Sequence, residues 1–126
     1  MNQVLKFGGS SVSNAQNIRK VLDIVEQRKI RAKAIVIVSA LGGTTDALLN
    51  CGTQAASGSE EFKTTLAGIE NRHFEAVKEL LPIQHQSATL SMVKKHCNDL
   101  EDICNGVFLL SEISPRTRDR IVSYGE

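Results

Sequence analysis

The run Ala34-Ile35-Val36-Ile37-Val38 constrains the fold more than any other part of the sequence. Continuous apolar, mostly β-branched residues are typical of a strand that is covered on both faces in a parallel sheet. A shorter strand-like segment, Val4 to Phe7, lies ahead of it. The segment between them has four apolar residues at helical spacing, Ile18, Val21, Leu22 and Val25. Strand, helix and strand in this order predict a βαβ unit.

Helix-start signals divide the rest of the chain. Ser13 with Gln16, and Ser57 with Glu60, have the spacing of capping boxes. Thr44 or Thr45 is suited to cap another helix, with Asp46 in its first turn, and that helix is expected to end between Gly52 and Gly58. Ser114-Pro115 predicts the start of the last helix, because proline is favoured at the first helical position.

Two long apolar stripes flank Pro82. The first is Phe62, Leu66, Ile69, His73, Val77 and Leu80, and the second is Leu90, Val93, Cys97, Leu100, Cys104 and Val107. Both have helical periodicity, and proline ends the first helix. The pattern predicts an antiparallel helical hairpin.

These elements predict an α/β fold with a mainly parallel sheet and a helical hairpin. Only two strands are evident, whereas a sheet of this kind usually has about five or six. We therefore expect residues 1–126 to form the N-terminal, incomplete part of a larger catalytic domain.

Composition excludes several functions. A net charge of +1 and 4% aromatic residues, without tryptophan, argue against nucleic-acid binding. No apolar run is long enough to span a membrane, and Lys6 with the following glycines interrupts any secretory signal. The three cysteines lack CxxC spacing and the histidines lack metal-ligand spacing, so we expect reduced structural thiols, no metal site and a cytoplasmic location.

The segment Lys6-Phe7-Gly8-Gly9-Ser10-Ser11 is the first candidate site. Paired glycines after a strand let backbone N–H groups approach an anion, and the helix that follows adds its positive end. The ammonium of Lys6 is placed to reach transferring phosphoryl oxygens. The structural alternative, a tight turn with a solvated lysine, is equally compatible with these residues alone.

A second loop, Ser39 to Asp46, follows the second strand. The carboxyl ends of parallel strands meet at one edge of a sheet, where ligands bind in α/β proteins. Hydroxyls of Ser39 and Thr45 are suited to hold a substrate carboxylate, although Thr44, Thr45 and Asp46 also fit a purely capping role. By itself the terminal Glu126 is a weak candidate.

Three motifs together resemble the aspartokinases of the amino-acid kinase superfamily: KFGGSSV, VSALGGTTD and RTRDRIVSYGE, in the family's order along essentially the whole chain. The resemblance implies a three-layer amino-acid-kinase-type fold. It also implies ATP-dependent phosphorylation of the β-carboxylate of L-aspartate, with Mg²⁺, as a first step in lysine, threonine and methionine biosynthesis. No strong general base is required, because an aspartate carboxylate, with an ordinary pKa of about 3.9, is ionised at neutral pH.

Site roles follow from the resemblance residue by residue. Lys6, Phe7, Gly8, Gly9 and Ser10 match the positions around the ATP phosphates, with Lys6 as the catalytic residue. Ser39 and Thr45 match positions that contact aspartate. Glu126 matches the glutamate that holds the substrate's α-amino group.

The long helical connection, from about Ser59 to Val107, is similar to lysine-sensitive aspartokinases and to bifunctional aspartokinase–homoserine dehydrogenases. The segment GVFLLSEISPRT resembles the bifunctional type more closely. The family's later GRGGSD-type segment, catalytic aspartate, adenine-binding half and regulatory domains have no counterpart in the sequence. NADP is implied only if a dehydrogenase domain follows. We expect a homo-oligomer for the full-length enzyme and no turnover from the chain alone. A glutamate-type or acetylglutamate-type kinase and a non-catalytic oligomerisation fragment are the alternatives.

Overall fold

The computed structural model describes residues 2–126, in the order β1, α1, β2, α2, α3, α4 and α5. These elements form two compact units, the described residues up to Gly43 together with Glu126, and Thr44–Gly125. The predicted α/β character is confirmed, with a small parallel sheet and a majority of helix. No helix in the described range is long and apolar enough to cross a membrane.

The first unit is the predicted βαβ arrangement. Strand β1 (Asn2–Phe7) pairs in parallel with β2 (Lys33–Val38), and the register places Phe7 beside Val38. Helix α1 (Ala15–Lys29) connects them and contacts β2. The buried apolar side chains of this unit lie in α1 and in the loops rather than in the strands: Val12, Ala15, Val21 and Ala40.

The expectation that β2 is buried on both faces is wrong for this structure. Ile35, Val36, Ile37 and Val38 are all exposed, between 41% and 55%. Within the first unit, the elements that pack against β2 are α1 and one neighbouring strand, β1. A run of β-branched residues indicates that a strand is suited to burial on both faces. The first unit covers β2 only in part, so these side chains stay exposed.

The start of α1 also differs from the prediction. Asn14, not Ser13, is the N-cap, and its side-chain oxygen accepts from the N–H of Asn17 at 2.8 Å. The Ser13 hydroxyl instead donates to the carbonyl of Ser10. Ser13 is therefore used to hold the preceding turn, and the helix begins one residue later.

The second unit consists of four helices, α2 (Thr44–Ala56), α3 (Glu61–Leu80), α4 (Ile83–Leu110) and α5 (Pro115–Ser123). Contacts pair the start of α4 with the end of α3 and its end with the start of α3. Gln86 bonds the carbonyl of Lys78, Lys94 pairs with Glu70, and Phe108 packs on Phe62. The antiparallel hairpin broken at Pro82 is thus confirmed.

Helix caps in the second unit match the sequence only in part. Ser114 caps α5 by accepting from the N–H of Thr117, as predicted. The Ser57–Glu60 capping box is wrong, because the Ser57 hydroxyl donates back to Gln54 and Ser59 accepts from Glu61. The Ser57 hydroxyl is bonded to the last turn of α2, so it does not cap α3.

Glycine makes that end possible. Gly58 has φ +77°, and the N–H groups of Gly58 and Ser59 donate to the carbonyls of Ala55 and Gln54. This is the Schellman arrangement, which requires a left-handed residue just past the helix. The predicted end of α2 between Gly52 and Gly58 is confirmed at Ala56.

One apolar core holds the four helices together. It contains Leu48, Cys51, Ala55, Phe62, Leu66, Ile69, Leu100, Cys104, Val107 and Ile121. Half of the residues of the predicted hairpin stripes belong to it, three from each stripe: Phe62, Leu66, Ile69, Leu100, Cys104 and Val107.

Candidate functional site

The glycine-rich loop leaves β1 where the sequence predicted. Lys6 is exposed near the end of the strand, and the N–H of Ser11 donates to the carbonyl of Gly8 at 3.0 Å. This bond closes a four-residue turn between the strand and the approach to α1. A turn of this kind, followed by a helix N-terminus, is a backbone arrangement able to accept an anion.

The second loop lies directly against the first. The N–H of Ser39 donates to the carbonyl of Phe7 at 3.1 Å, which extends the strand pairing by one step. Beyond it, the N–H of Gly42 donates to the carbonyl of Gly9 at 2.9 Å. The structure therefore brings the two predicted loops together at the carboxyl edge of the parallel pair.

The two glycines of the first loop differ in their surroundings. A Cβ atom built on Gly9 would lie 3.1 Å from the carbonyl oxygen of Ala40, and one built on Gly42 would lie 2.9 Å from that of Gly9. A Cβ on Gly8 would meet nothing within 4 Å. Gly9 and Gly42 are thus needed for the close approach of two backbones, whereas a Cβ atom at Gly8 would meet only open space.

Two further side chains bond this loop, Ser13 just before α1 and Asn17 in its first turn, and the sequence pattern did not predict either contact. The carbonyl of Ser10 accepts from the Ser13 hydroxyl and from the side-chain amide of Asn17, both at 3.0 Å. Asn17 also donates to the Ser13 hydroxyl at 3.0 Å. The available signal was an amide side chain in the first turn of the helix after a glycine loop.

A cavity of about 330 Å³ opens beside the loop. It has hydroxyl, amide and ammonium groups together with an apolar wall. Its lining residues are Phe7, Ser10, Ser11, Asn17, Lys20, Val21 and Ile24. The loop is therefore open to small molecules on this side.

The other predicted ligands are placed less specifically. Ser39 is half-buried in the first unit, directly after β2. Thr45 lies half-buried in the first turn of α2, in the second unit, and Glu126 groups with the first unit and is exposed. Both threonines lie inside α2 rather than before it, so neither stands at the predicted capping position. The ligand roles of all three residues stay predictions.

A smaller cavity in the second unit, about 90 Å³, is lined mainly by apolar side chains together with His73, His96, Cys97 and Tyr124. His73 has its Nδ1 2.7 Å from the carbonyl oxygen of Ile69, one turn earlier in α3, so its predicted place at the core edge is confirmed. Tyr124 packs edge-on against His96. These contacts anchor the segment that carries the SYGE motif.

The cysteines are free, as expected. Burial, with a smaller contribution from the nearby Cys104, raises the pKa of Cys51 to about 12. Burial also raises the pKa of Cys104, and that of Cys97 beside Glu70, to about 11. Protonated thiols of this kind are poor nucleophiles and poor metal ligands, which agrees with a structural role.

Comparison with known proteins decides the family. The family model described as "Amino acid kinase family" matches residues 1–124. The chain belongs to the amino acid kinase family. Within it, the chain is similar to Aspartokinase 1, chloroplastic, of Arabidopsis thaliana, with 34% identity over 98% of this chain and 21% of that protein. It is also similar to a bifunctional aspartokinase/homoserine dehydrogenase of Zea mays, with 26% identity over 100% of this chain and 14% of that protein.

Solved aspartokinases share the fold of this amino acid kinase family member. The structure of E. coli aspartokinase III in complex with aspartate and ADP matches with a TM-score of 0.81 and 26% identity. The match covers 98% of this chain and 26% of the neighbour. The chain thus spans about a fifth of the length of the first plant aspartokinases it matches. Relatives with and without a dehydrogenase part both match.

Proposed function

We propose that this chain is the N-terminal part of the catalytic domain of an ATP-dependent aspartate kinase, which transfers the γ-phosphoryl group to the β-carboxylate of L-aspartate. One observation carries the proposal. Two glycine loops at the carboxyl edge of a parallel strand pair are joined backbone to backbone, from Gly42 to Gly9, in a chain similar to aspartokinases.

The loop after β1 is assigned to the phosphates. Gly8, which is open to its surroundings, and Ser10 would present backbone N–H groups to phosphate oxygens. The ammonium of Lys6 would stabilise the negative charge of the transferred group, and Phe7 ends the strand that carries it. This assignment needs only groups that the exposed side of the loop offers.

The loop after β2 is assigned to aspartate. Ser39, beside the phosphate loop, would contact the acceptor, Thr45 would orient its carboxylate, and Glu126 would pair with its α-ammonium group. The roles of Thr45 and Glu126 rest on the resemblance to aspartokinases.

Glu126→Gln is expected to raise KM for aspartate and to leave KM for ATP unchanged. The reverse pattern would contradict this division of ligands.

The chemistry needs little acid–base catalysis. The acceptor carboxylate, with an ordinary pKa of about 3.9, is already ionised at neutral pH. The barrier comes from bringing two anions together, so positive charge, N–H donors and alignment supply the catalysis. This agrees with a loop rich in backbone donors and one lysine.

Mg²⁺ would neutralise phosphate charge when it is bound. The phosphate loop does not itself supply carboxylate ligands, because the first acidic residue of the sequence is Asp23 in α1. The Mg²⁺ requirement therefore remains a proposal drawn from the resemblance. A homo-oligomeric full-length enzyme and a dehydrogenase domain with NADP are further proposals. A cytoplasmic location is proposed from the cysteine pattern, and the plant relatives carry chloroplastic names.

The substrate assignment is tested with the full-length protein, ATP and a panel of aspartate, glutamate and N-acetylglutamate. Hydroxylamine traps any acyl phosphate as its hydroxamate. We expect product from aspartate and little from the other two acids. Preference for glutamate or N-acetylglutamate would favour another amino-acid kinase, and product from none would favour a non-catalytic scaffold.

A further inference from the structure

The carbonyl of Ser10 receives hydrogen bonds from two side chains, one just before α1 and one in its first turn. The Ser13 hydroxyl and the Nδ2 atom of Asn17 each lie 3.0 Å from it. Asn17 Nδ2 also lies 3.0 Å from the Ser13 hydroxyl oxygen. A primary amide has two N–H groups, so this one side chain is able to satisfy both acceptors at once.

These bonds fix more than one carbonyl. The peptide between Ser10 and Ser11 is planar, so a fixed Ser10 carbonyl also fixes the direction of the Ser11 N–H. That N–H donates to the Gly8 carbonyl at 3.0 Å. The peptide is thus held on one side by α1 and on the other by the turn, and the residues enclosed by the turn, Gly9 and Ser10, are held with it.

Asn17 is not needed to cap its own helix. The cap is Asn14, whose side-chain oxygen accepts from the backbone N–H of Asn17 at 2.8 Å. The Asn17 side chain extends instead to the loop and lines the cavity with Ser10, Ser11 and Lys20. Capping and loop contact are therefore divided between two asparagines three positions apart.

We infer that Asn17 is a positioning residue for phosphoryl transfer, which sets the orientation of the Gly8–Ser11 turn and of the N–H groups it offers to phosphate. The inference rests on the proposed function. In this role Asn17 does not contact the nucleotide. Its side chain, carried by α1, holds the loop in the orientation that binds phosphate. Preorganised donors matter because they need no rearrangement when charge develops in the transition state.

Two substitutions in the full-length protein test the role. Asn17→Ala removes the hydrogen-bond donors of the side chain. Asn17→Leu also removes them but keeps a side chain of similar size beside Val21 and Ile24, and it serves as a second variant if Asn17→Ala does not fold. Loss of these bonds is expected to lower kcat/KM for ATP roughly tenfold, with KM for aspartate changed less than about twofold.

Two further variants are matched controls. Gln16→Ala truncates an exposed amide side chain of the same helical turn and should change neither kinetics nor stability. Asn14→Ala removes the helix cap, so it should lower the melting temperature and leave KM for ATP unchanged. Together they separate loss of helix stability from loss of loop orientation.

Amide hydrogen exchange of the peptide that contains the turn gives a readout independent of turnover. Both Asn17 variants should exchange faster there, and Gln16→Ala should not. Unchanged exchange in the Asn17 variants would overturn the positioning role, and so would faster exchange with an unchanged kcat/KM for ATP. In either case, aspartate kinase activity of the wild-type protein would leave the proposed function intact. A wild-type protein without phosphoryl transfer to aspartate overturns the proposed function itself, whatever the exchange shows.

Discussion

At the scale of single residues, the contact between Gly9 and Gly42 explains one glycine in each of the two loops. Gly42 donates to the Gly9 carbonyl at 2.9 Å, and a Cβ at either position would press on backbone atoms. Backbone moves less readily than a side-chain end, so the cost of a methyl group here is real strain. Gly8 has no such neighbour.

This difference predicts that two similar substitutions destabilise the fold to different extents. Gly42→Ala should lower the free energy of unfolding by about 1–3 kcal/mol, since overpacking costs that much. Gly8→Ala should leave it within about 1 kcal/mol, because its space is open and its φ lies outside the left-handed region. Urea denaturation followed by circular dichroism measures both. Equal destabilisation by the two alanines would refute the division between a packing glycine and an open one.

At the scale of secondary structure elements, the helical unit depends on burial rather than on charge pairs. Phe62, Leu48 and Ile121 are fully buried in the core. The ion pair between Glu70 and Lys94 links α3 and α4, but its lysine side chain is 52% exposed. Solvent screens exposed pairs of this kind, so they contribute little, whereas burying one large apolar side chain contributes about 1.5–3 kcal/mol.

The buried thiols predict a pH dependence for this unit. Folding raises the pKa of Cys51 from 9.0 to about 12 and that of Cys104 to about 11. Their contribution is complete below the pKa of the unfolded thiol and is lost as pH rises from about 9 toward 12. The urea midpoint should therefore fall over this range more steeply for the wild-type chain than for a Cys51→Ala/Cys104→Ala variant. Parallel curves would contradict the assignment.

Elements were predictable where a local pattern and its surroundings agree. The βαβ order, the hairpin break at Pro82 and the Ser114 cap follow from periodicity and helix-start residues. Ser13 and Ser57 failed as caps because each hydroxyl donates to a nearby carbonyl, of Ser10 and Gln54 respectively. Such competition between local hydrogen bonds is decided by backbone geometry that spacing does not encode.

At the scale of the whole molecule, the exposed strand faces and the partial coverage of relatives point the same way. Ile35, Val36, Ile37 and Val38 are exposed, although the sequence of β2 suits a buried strand. The chain also covers only 26% of the solved aspartokinase III structure. Both observations support the proposal that these residues are part of a larger catalytic domain.

The isolated chain is accordingly expected to have no measurable kinase turnover. The proposed adenine-binding half and the later glycine-rich segment are not among its residues, so ATP would lack most of its contacts. Purified residues 1–126 should give no hydroxamate from ATP and aspartate above a protein-free control. Formation of aspartyl phosphate by this chain would overturn the proposed division of the active site.

The part of the candidate site that was predictable from the sequence is the meeting of the two loops that follow the strands. Parallel strands bring their following loops to one edge, which correctly joined the loops after Phe7 and Val38. The pairing of Gly9 with Gly42 and the role of Asn17 depend on distances of about 3 Å between backbone and side-chain atoms. Sequence spacing does not specify such distances.

Lys6 offers the most direct test of the central claim, that the loop after β1 stabilises a transferred phosphoryl group. Steady-state kinetics of the full-length enzyme should compare Lys6→Ala with Lys33→Ala, which truncates the exposed lysine at the start of the neighbouring strand. We predict that Lys6→Ala lowers kcat roughly a hundredfold or more with the fold retained, and that Lys33→Ala leaves kcat unchanged. A kcat for Lys6→Ala within about twofold of wild type would contradict the account.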